Sequence, residues 1–298
     1  MPATNPQKVV LITGGTDGLG KATAILLAQR GYRVIAAGRS EAKRAELDAL
    51  AKTRNLPLTT VELDVCSDAS VNRAVQSVIG SCGAIDVLIN NAGVGYMAVV
   101  EELKMEDLKQ QFETNLFGVL RVTQAVLPGM RERKSGRIVM LSSVAGLVTP
   151  PTYGAYSSSK HALEGLSNAL RLELFPFSIQ VVLIEPGYIV TNFQQTAKDL
   201  AQSYVESAKT SPYEKIYSGA SAGAAKGRAK SKATPEDCAR VILQAIESPN
   251  PNARYGVTPL ATLVKWAKRL ASDRMLDEFL RRTYGVTLDA APKDRKPV

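Results

Sequence analysis

Six apolar, β-branched runs recur through the first two thirds of the chain, with amphipathic stretches between them. VVLITG at 9–14, YRVIAAG at 32–38, LTTVELDV at 58–65, AIDVLINNAG at 84–93, GRIVMLSS at 136–143 and IQVVLIEPG at 179–187 have the length and residue types of buried strands. KATAILLAQRG and HALEGLSNALRLELF repeat their apolar residues at helical spacing. A strand that returns parallel to its predecessor needs a crossover, so this rhythm specifies an α/β fold, a parallel sheet covered by helices on both faces. ARYGVTP at 253–259 is a weaker candidate for one more strand. The 298 residues, 45% of them hydrophobic, suffice for the core that such a sheet requires.

Beyond Gly187 the pattern loosens. Residues 188–235 lack clean periodicity and read as a substrate loop or lid, within which SGASAGAAKGRAKSKA at 218–233 reads as a mobile basic loop. TPEDCARVILQAIE restarts a helix, with Thr234 as N-cap and Pro235 in its first turn. PLATLVKWAKRLASDRMLDEFLRRTYG at 259–285 reads as one long or broken amphipathic helix, and the tail APKDRKPV as disordered. The expected organisation is a catalytic domain over 1–258 and a helical, basic extension over 259–298.

The polar opening MPATNPQKVV passes directly into the first apolar run, without the succession of a secretion signal. Apolar stretches such as VVLI at 9–12 are far shorter than the roughly 20 residues of a spanning helix. Cys66, Cys82 and Cys238 are odd in number and widely spaced, which suits reduced thiols. A cytoplasmic protein is expected, attached at most to a membrane surface. The one histidine, His161, has no second histidine with which to share a metal, and no metal site is expected. Of the net charge of +9, most arises late: from Lys226 onward 15 Lys and Arg stand against 8 Asp and Glu. That asymmetry describes a basic C-terminal region rather than a basic groove, and without aromatic interleaving or a recognisable module it does not point to nucleic acid.

TGGTDGLG at 13–20 follows the first strand and opens the first helix. In that context Gly14, Gly18 and Gly20 permit a tight turn, close approach to a pyrophosphate and close packing of helix on strand, while the helix N-terminus offers N–H groups to the anion. NNAG at 90–93, TNLFG at 114–118, Ser142 and Ser143, Tyr156-xxx-Lys160 and Pro186-Gly187 follow in order. Together these motifs closely resemble the short-chain dehydrogenase/reductase family over roughly residues 8–255, and specifically its hydroxysteroid and retinol dehydrogenase branch. The resemblance implies a Rossmann-type doubly wound sheet and an oxidoreductase that uses a nicotinamide cofactor.

It also implies where that cofactor contacts the chain: Gly14, Thr16, Asp17, Gly18, Leu19 and Gly20 in the glycine loop, Arg39 and Ser40 after the second strand, Asp64 and Val65 at the adenine, Asn91, Ala92 and Gly93 along the channel, and Pro186, Gly187, Ile189 and Thr191 near the nicotinamide. AAGRS ends the second strand in Gly38 and Arg39, where an acidic residue would select a ribose hydroxyl. A guanidinium offers a planar fork of donors to a phosphate, so NADP(H) is expected over NAD(H). Asp17 and Glu41 are the acidic neighbours in that stretch.

YGAYSSSK at 153–160 contains two tyrosines, and helical spacing separates them: Tyr156 has Lys160 on its face, whereas Tyr153 has Ser157. A phenol with a pKa of about 10 transfers protons efficiently near neutrality only if shifted toward about 7. An ammonium about 4 Å away at an effective dielectric of about 20 would supply roughly 4 kcal/mol, or about 3 pKa units. Tyr156 is therefore the expected acid/base, and Tyr153 a pocket residue. By resemblance Ser143 holds the substrate oxygen, with Ser142 as its alternative, Lys160 also holds the nicotinamide ribose, and Asn115 anchors a water that connects Lys160 to solvent.

Tyr96, Met97, Leu147, Val148, Tyr153, Tyr188 and Phe193 are the candidate substrate contacts, and their apolar and aromatic character suits a lipophilic secondary alcohol or ketone. In the C-terminal stretch Leu260, Leu263, Val264, Trp266, Ala267 and Leu270 are interleaved with Lys265, Lys268 and Arg269, a pattern open to packing over the active site, against a second subunit, or on a membrane. Relatives associate through helices that would span about 106–130 and 152–174 here, so a homodimer or homotetramer is expected by analogy. A non-catalytic NADP(H)-binding sensor or scaffold on the same fold is the rival reading.

Overall fold

A computed structural model describes residues 7–191 and 193–287; the tail APKDRKPV lies outside the described residues. Seven strands form one sheet in the order β3-β2-β1-β4-β5-β6-β7: β1 Val9–Thr13, β2 Arg33–Gly38, β3 Leu58–Glu62, β4 Val87–Asn90, β5 Gly136–Leu141, β6 Ile179–Glu185 and the short β7 Arg254–Gly256. Every neighbouring pair is parallel. The weak run at 253–259 is thus the edge strand.

The period of two in each strand divides the interior into two cores. Val9, Leu11, Leu88, Ile138, Met140 and Leu183 face α3 Asp68–Cys82, α5 Gly118–Glu132 and α6 Gly154–Glu173. Val10, Ile12, Val87, Ile89, Val139 and Ile184 face α1 Gly18–Gln29, α2 Glu41–Thr53 and α9 Pro235–Glu247. Thr234 caps α9 reciprocally with Asp237, as the sequence predicts, and Pro235 stands in its first turn. The helix expected over 106–130 is interrupted: α4 Met105–Phe112 and α5 are joined by a π turn, Glu113–Phe117, that carries Asn115.

The segment expected to be a mobile basic loop at 218–233 is instead largely helical. Residues 188–235 contain α7 Phe193–Ser207 and α8 Glu214–Lys230. Gly219, Gly223 and Gly227 align along one side of α8, where a Cβ would fall 2.1 Å from the Tyr284 carbonyl oxygen, 2.5 Å from the Tyr284 ring and 2.3 Å from the Tyr188 ring, respectively. Large side chains from elsewhere fill this face, so α8 lacks apolar periodicity of its own. The 259–285 stretch is broken into α10 Pro259–Leu270 and α11 Asp273–Tyr284, with Ser272 capping the second helix.

Candidate active site

The carboxyl ends of the strands carry the predicted groups. After β1 the backbone turns through positive φ at Gly14 and Gly18. A Cβ at Gly20 would lie 2.2 Å from the Gly14 carbonyl oxygen, so the turn closes only because Gly20 has no side chain. At Gly18, by contrast, an added Cβ meets nothing nearer than Thr191 at 3.6 Å. A tight backbone turn opening onto free space at a helix N-terminus fits the pyrophosphate of a dinucleotide.

Several residues expected to touch cofactor also make structural contacts of their own. The Asn91 amide donates to the carbonyls of Thr13 and Gly14 at 2.9 and 3.0 Å, tying β4 to the loop. Thr16 is buried against Gly38, and the Ile189 side chain packs in the second core. Ser40 caps α2, and the Asp64 carboxylate accepts the Cys66 N–H at 3.0 Å. Val65 packs on Gly118, Leu19 on the second core and Ala92 on the first. The Asp17 carboxylate accepts the Gly18 N–H at 2.7 Å and pairs with Lys43. Lys43 was not singled out from sequence, although it stands one helical turn beyond Arg39. Arg44 donates to the carbonyls of Gly38 and Arg39 at 3.1 and 3.3 Å, and the exposed Arg39 side chain makes no ion pair among the described residues.

Tyr156 and Lys160 come together one turn apart on α6. The Ser143 hydroxyl lies close enough to the phenol to lower its pKa, and the Lys160 Nζ lies 5.8 Å from the ring centroid. Tyr153 meets Tyr156 edge to face at 6.5 Å, and Phe193 covers it at 5.7 Å. This enclosure overturns the expected electrostatics. The Lys160 ammonium donates to the Leu141 carbonyl at 2.7 Å and is not among the groups that shift the Tyr156 phenol. Burial pushes the Tyr156 phenol up to about 12, opposed by the nearby Ser143 hydroxyl, and pushes Lys160 down to about 8, opposed by Glu164.

Asn115 is fully buried in the π turn. Its Nδ2 donates to the Val94 carbonyl and Ser159 Oγ at 2.9 and 3.2 Å, while its Oδ1 accepts the Val94 N–H at 2.8 Å. A Cβ on Gly93 would stand 3.3 Å from Asn115 Oδ1 and 3.9 Å from Lys160 Nζ, so Gly93 adjoins both groups. The Pro186 carbonyl accepts the Val144 N–H at 3.0 Å, binding the Pro186-Gly187 turn to the loop that carries Ser143, Leu147 and Val148. Gly187 in turn has the Thr258 hydroxyl in the space of its missing Cβ, at 2.3 Å. Tyr96 is buried with its phenol near Asp107 and Tyr204, toward α4 and α7, while Tyr188 shares a 3.2 Å contact between hydroxyls with Tyr284.

A buried charge cluster unmarked by any motif lies beneath the site. Arg254 donates to Glu164 at 2.9 and 3.2 Å and to Asn168 at 2.9 Å, and stands 3.2 Å from Glu185 Oε1. Arg254 lies 69, 86 and 90 residues beyond Glu185, Asn168 and Glu164, so no local pattern announces the cluster. Among the described residues no cluster could hold a metal ion.

The chain matches the family model described as short chain dehydrogenase over residues 8–201. It is 38% identical to retinol dehydrogenase 8 of Homo sapiens, over 86% of this chain and 84% of that protein. It is 34% identical to a 3-ketodihydrosphingosine reductase of Bacteroides thetaiotaomicron, over 94% and 99%. Among solved structures, a short chain dehydrogenase/reductase from Burkholderia phymatum in complex with NAD shares the fold at TM-score 0.77 and 24% identity, over 98% of both chains. The closed form of a serine dehydrogenase complexed with NADP+ aligns at TM-score 0.72 and 28% identity, over 85% of this chain and 95% of that one.

Proposed function

We propose that this chain, which belongs to the short-chain dehydrogenase/reductase family and is thereby an oxidoreductase acting on CH–OH donors with NAD(P), is an NADP(H)-dependent reductase of lipophilic ketones. The observation that carries the reading is the constellation of half-buried Ser143 and Tyr156 with buried Lys160. Ser143 orients the carbonyl oxygen and Tyr156 delivers a proton to it. A phenol held near 12 is protonated at neutral pH, which is the form a reduction consumes. Lys160, near 8, is mostly an ammonium under the same conditions and serves to hold the nicotinamide ribose and to return the proton. Both Nδ2 hydrogens of Asn115 are committed, so a water it anchors would be held by its main-chain carbonyl. When bound, the nicotinamide supplies the hydride.

Arg39, backed by Lys43 and Arg44, favours the 2'-phosphate of NADP(H), since Lys43 offsets the charge of Asp17. Tyr153 and Phe193 bring an aromatic wall to Tyr156, and retinol and 3-ketodihydrosphingosine, which appear in the names of two relatives, are themselves lipophilic. Residues 1–258 would form the catalytic unit, with α7 and α8 as its lid, acting in the cytoplasm as a homo-oligomer paired through α4, α5 and α6. An NADPH-consumption screen across steroid, retinoid, aromatic and aliphatic ketones tests the reading, with Tyr156→Phe as control. Turnover should fall about 1,000-fold in the variant while NADPH affinity stays unchanged. Equal turnover by both proteins, or no turnover of any ketone by the parent, would remove it.

A further inference from the structure

The two C-terminal helices each have a second apolar side that the fold leaves uncovered. On α10 the less exposed side is Ala261, Val264 and Ala267. Leu263, Trp266 and Leu270 occupy the other side at spacings of three and four residues, and are 63%, 53% and 80% exposed. On α11, Leu276, Leu280 and Tyr284 form the less exposed side, whereas Met275 and Phe279 are more than half exposed. The charges beside this surface are of one sign on α10, where Lys265, Lys268 and Arg269 have no acidic neighbour within the helix, and Lys268 pairs across to Asp273 of α11 at 3.5 Å. Arg269 and Arg274 make no ion pair among the described residues.

We propose that α10 and α11 dock the protein on an anionic lipid bilayer. Leu263, Trp266 and Leu270 would enter the headgroup boundary and Lys265, Lys268 and Arg269 would meet lipid phosphates. Charge selects this occupant over a second copy of the chain: the two helices carry six Lys and Arg against three Asp and Glu, so a two-fold contact through the same face would oppose like net charge. No helix among the described residues is long and apolar enough to cross a membrane, so the contact is peripheral.

The location gives the contact a use. Thr258 caps α10 while seated against Gly187, α10 packs on the Val144–Gly146 turn that follows Ser143, and α11 ends at the Tyr188–Tyr284 contact. The docked helices therefore adjoin both segments that flank Tyr156, which would place the site within reach of a lipid-dissolved ketone. That consequence rests on the lipophilic-substrate reading; the docking does not.

Full-length protein, without substrate or cofactor, is sedimented with phosphatidylcholine vesicles and with vesicles that also contain phosphatidylglycerol. Trp266, the one tryptophan in the sequence, reports insertion through a blue shift of its emission. Expected are binding and a blue shift only with phosphatidylglycerol, both weakened by salt. Lys265→Gln with Arg269→Gln should weaken partition about 30-fold. Leu263→Ser with Leu270→Ser should weaken it at least about tenfold, and these exposed positions should leave thermal unfolding unchanged. Failure to bind anionic vesicles, equal binding to both compositions, or a dimer that the serine pair dissociates would each overturn the proposal. Ketone reduction without vesicles is read separately, so either result stands without the other.

Discussion

The nucleotide-binding half and the C-terminal hundred residues fold by different packing logics. In β1 to β6 each strand alternates large apolar residues between two cores, and each helix brings its own apolar face. In α8 the partner supplies the bulk: three glycines open a trough, and Tyr284 and Tyr188 lie in it. Structure is legible in sequence when an element announces its buried side with its own large residues, and is obscured when it contributes only the space.

This contrast is broken most severely at Gly20. An alanine there would force its Cβ against the Gly14 carbonyl, a backbone atom that no rotamer change can move. Gly20→Ala should lose about 3 kcal/mol of stability and weaken NADPH binding more than 100-fold, measured by thermal unfolding and fluorescence titration. The next effect separates cofactor choice from folding. Arg39→Ala removes an exposed side chain without an ion pair, so unfolding should not change. NADPH affinity should fall about 30-fold while NADH affinity holds, the size of one or two charge-assisted hydrogen bonds. Equal loss for both nucleotides would show that Arg39 does not read the 2'-phosphate.

The motifs made Tyr156, Lys160, Ser143 and Asn115 visible because each recurs at a fixed distance from a strand end, and the structure brings the first three to one place. The direction of the Tyr156 shift was not legible, because helical spacing gives the neighbour but not the depth of burial or the Leu141 carbonyl that holds the ammonium. Asn91 carries the family spacing, and its amide also braces the glycine turn, a contact that spacing alone does not give. Arg254, Glu164 and Glu185 escaped entirely, since only the fold assembles them. The C-terminal logic can be tested by sign. Helix propensity alone favours Gly219→Ala by about 1 kcal/mol. A Cβ 2.1 Å from the Tyr284 carbonyl should reverse that sign, with a net loss of about 1–2 kcal/mol and faster proteolysis in α11, at unchanged NADPH affinity. A stabilised variant would mean that α8 and α11 are not clamped together.

The smallest effect belongs to the seam between the two regions. Glu185 ends β6 in the nucleotide half, and the charges around it come from α6, β7 and α10: Glu164, Arg254 and Lys265. Burial, then the neighbouring Glu164 carboxylate, pushes Glu185 up to about 6, against the pull of Arg254 and Lys265. Because the folded value exceeds the unfolded one, the folded state binds more protons between about pH 4.5 and pH 6. Stability from this group is complete below that window and declines as pH rises through it. Glu185→Gln keeps the shape of the protonated acid and cannot ionise, and Arg254 retains Glu164 as its partner. The variant should match the parent near pH 4 and exceed it by on the order of 1 kcal/mol above pH 7, read from unfolding midpoints across the range. An offset of the same size at every pH would mean that Glu185 acts through shape alone, and that the seam between the two halves is not held under charge repulsion.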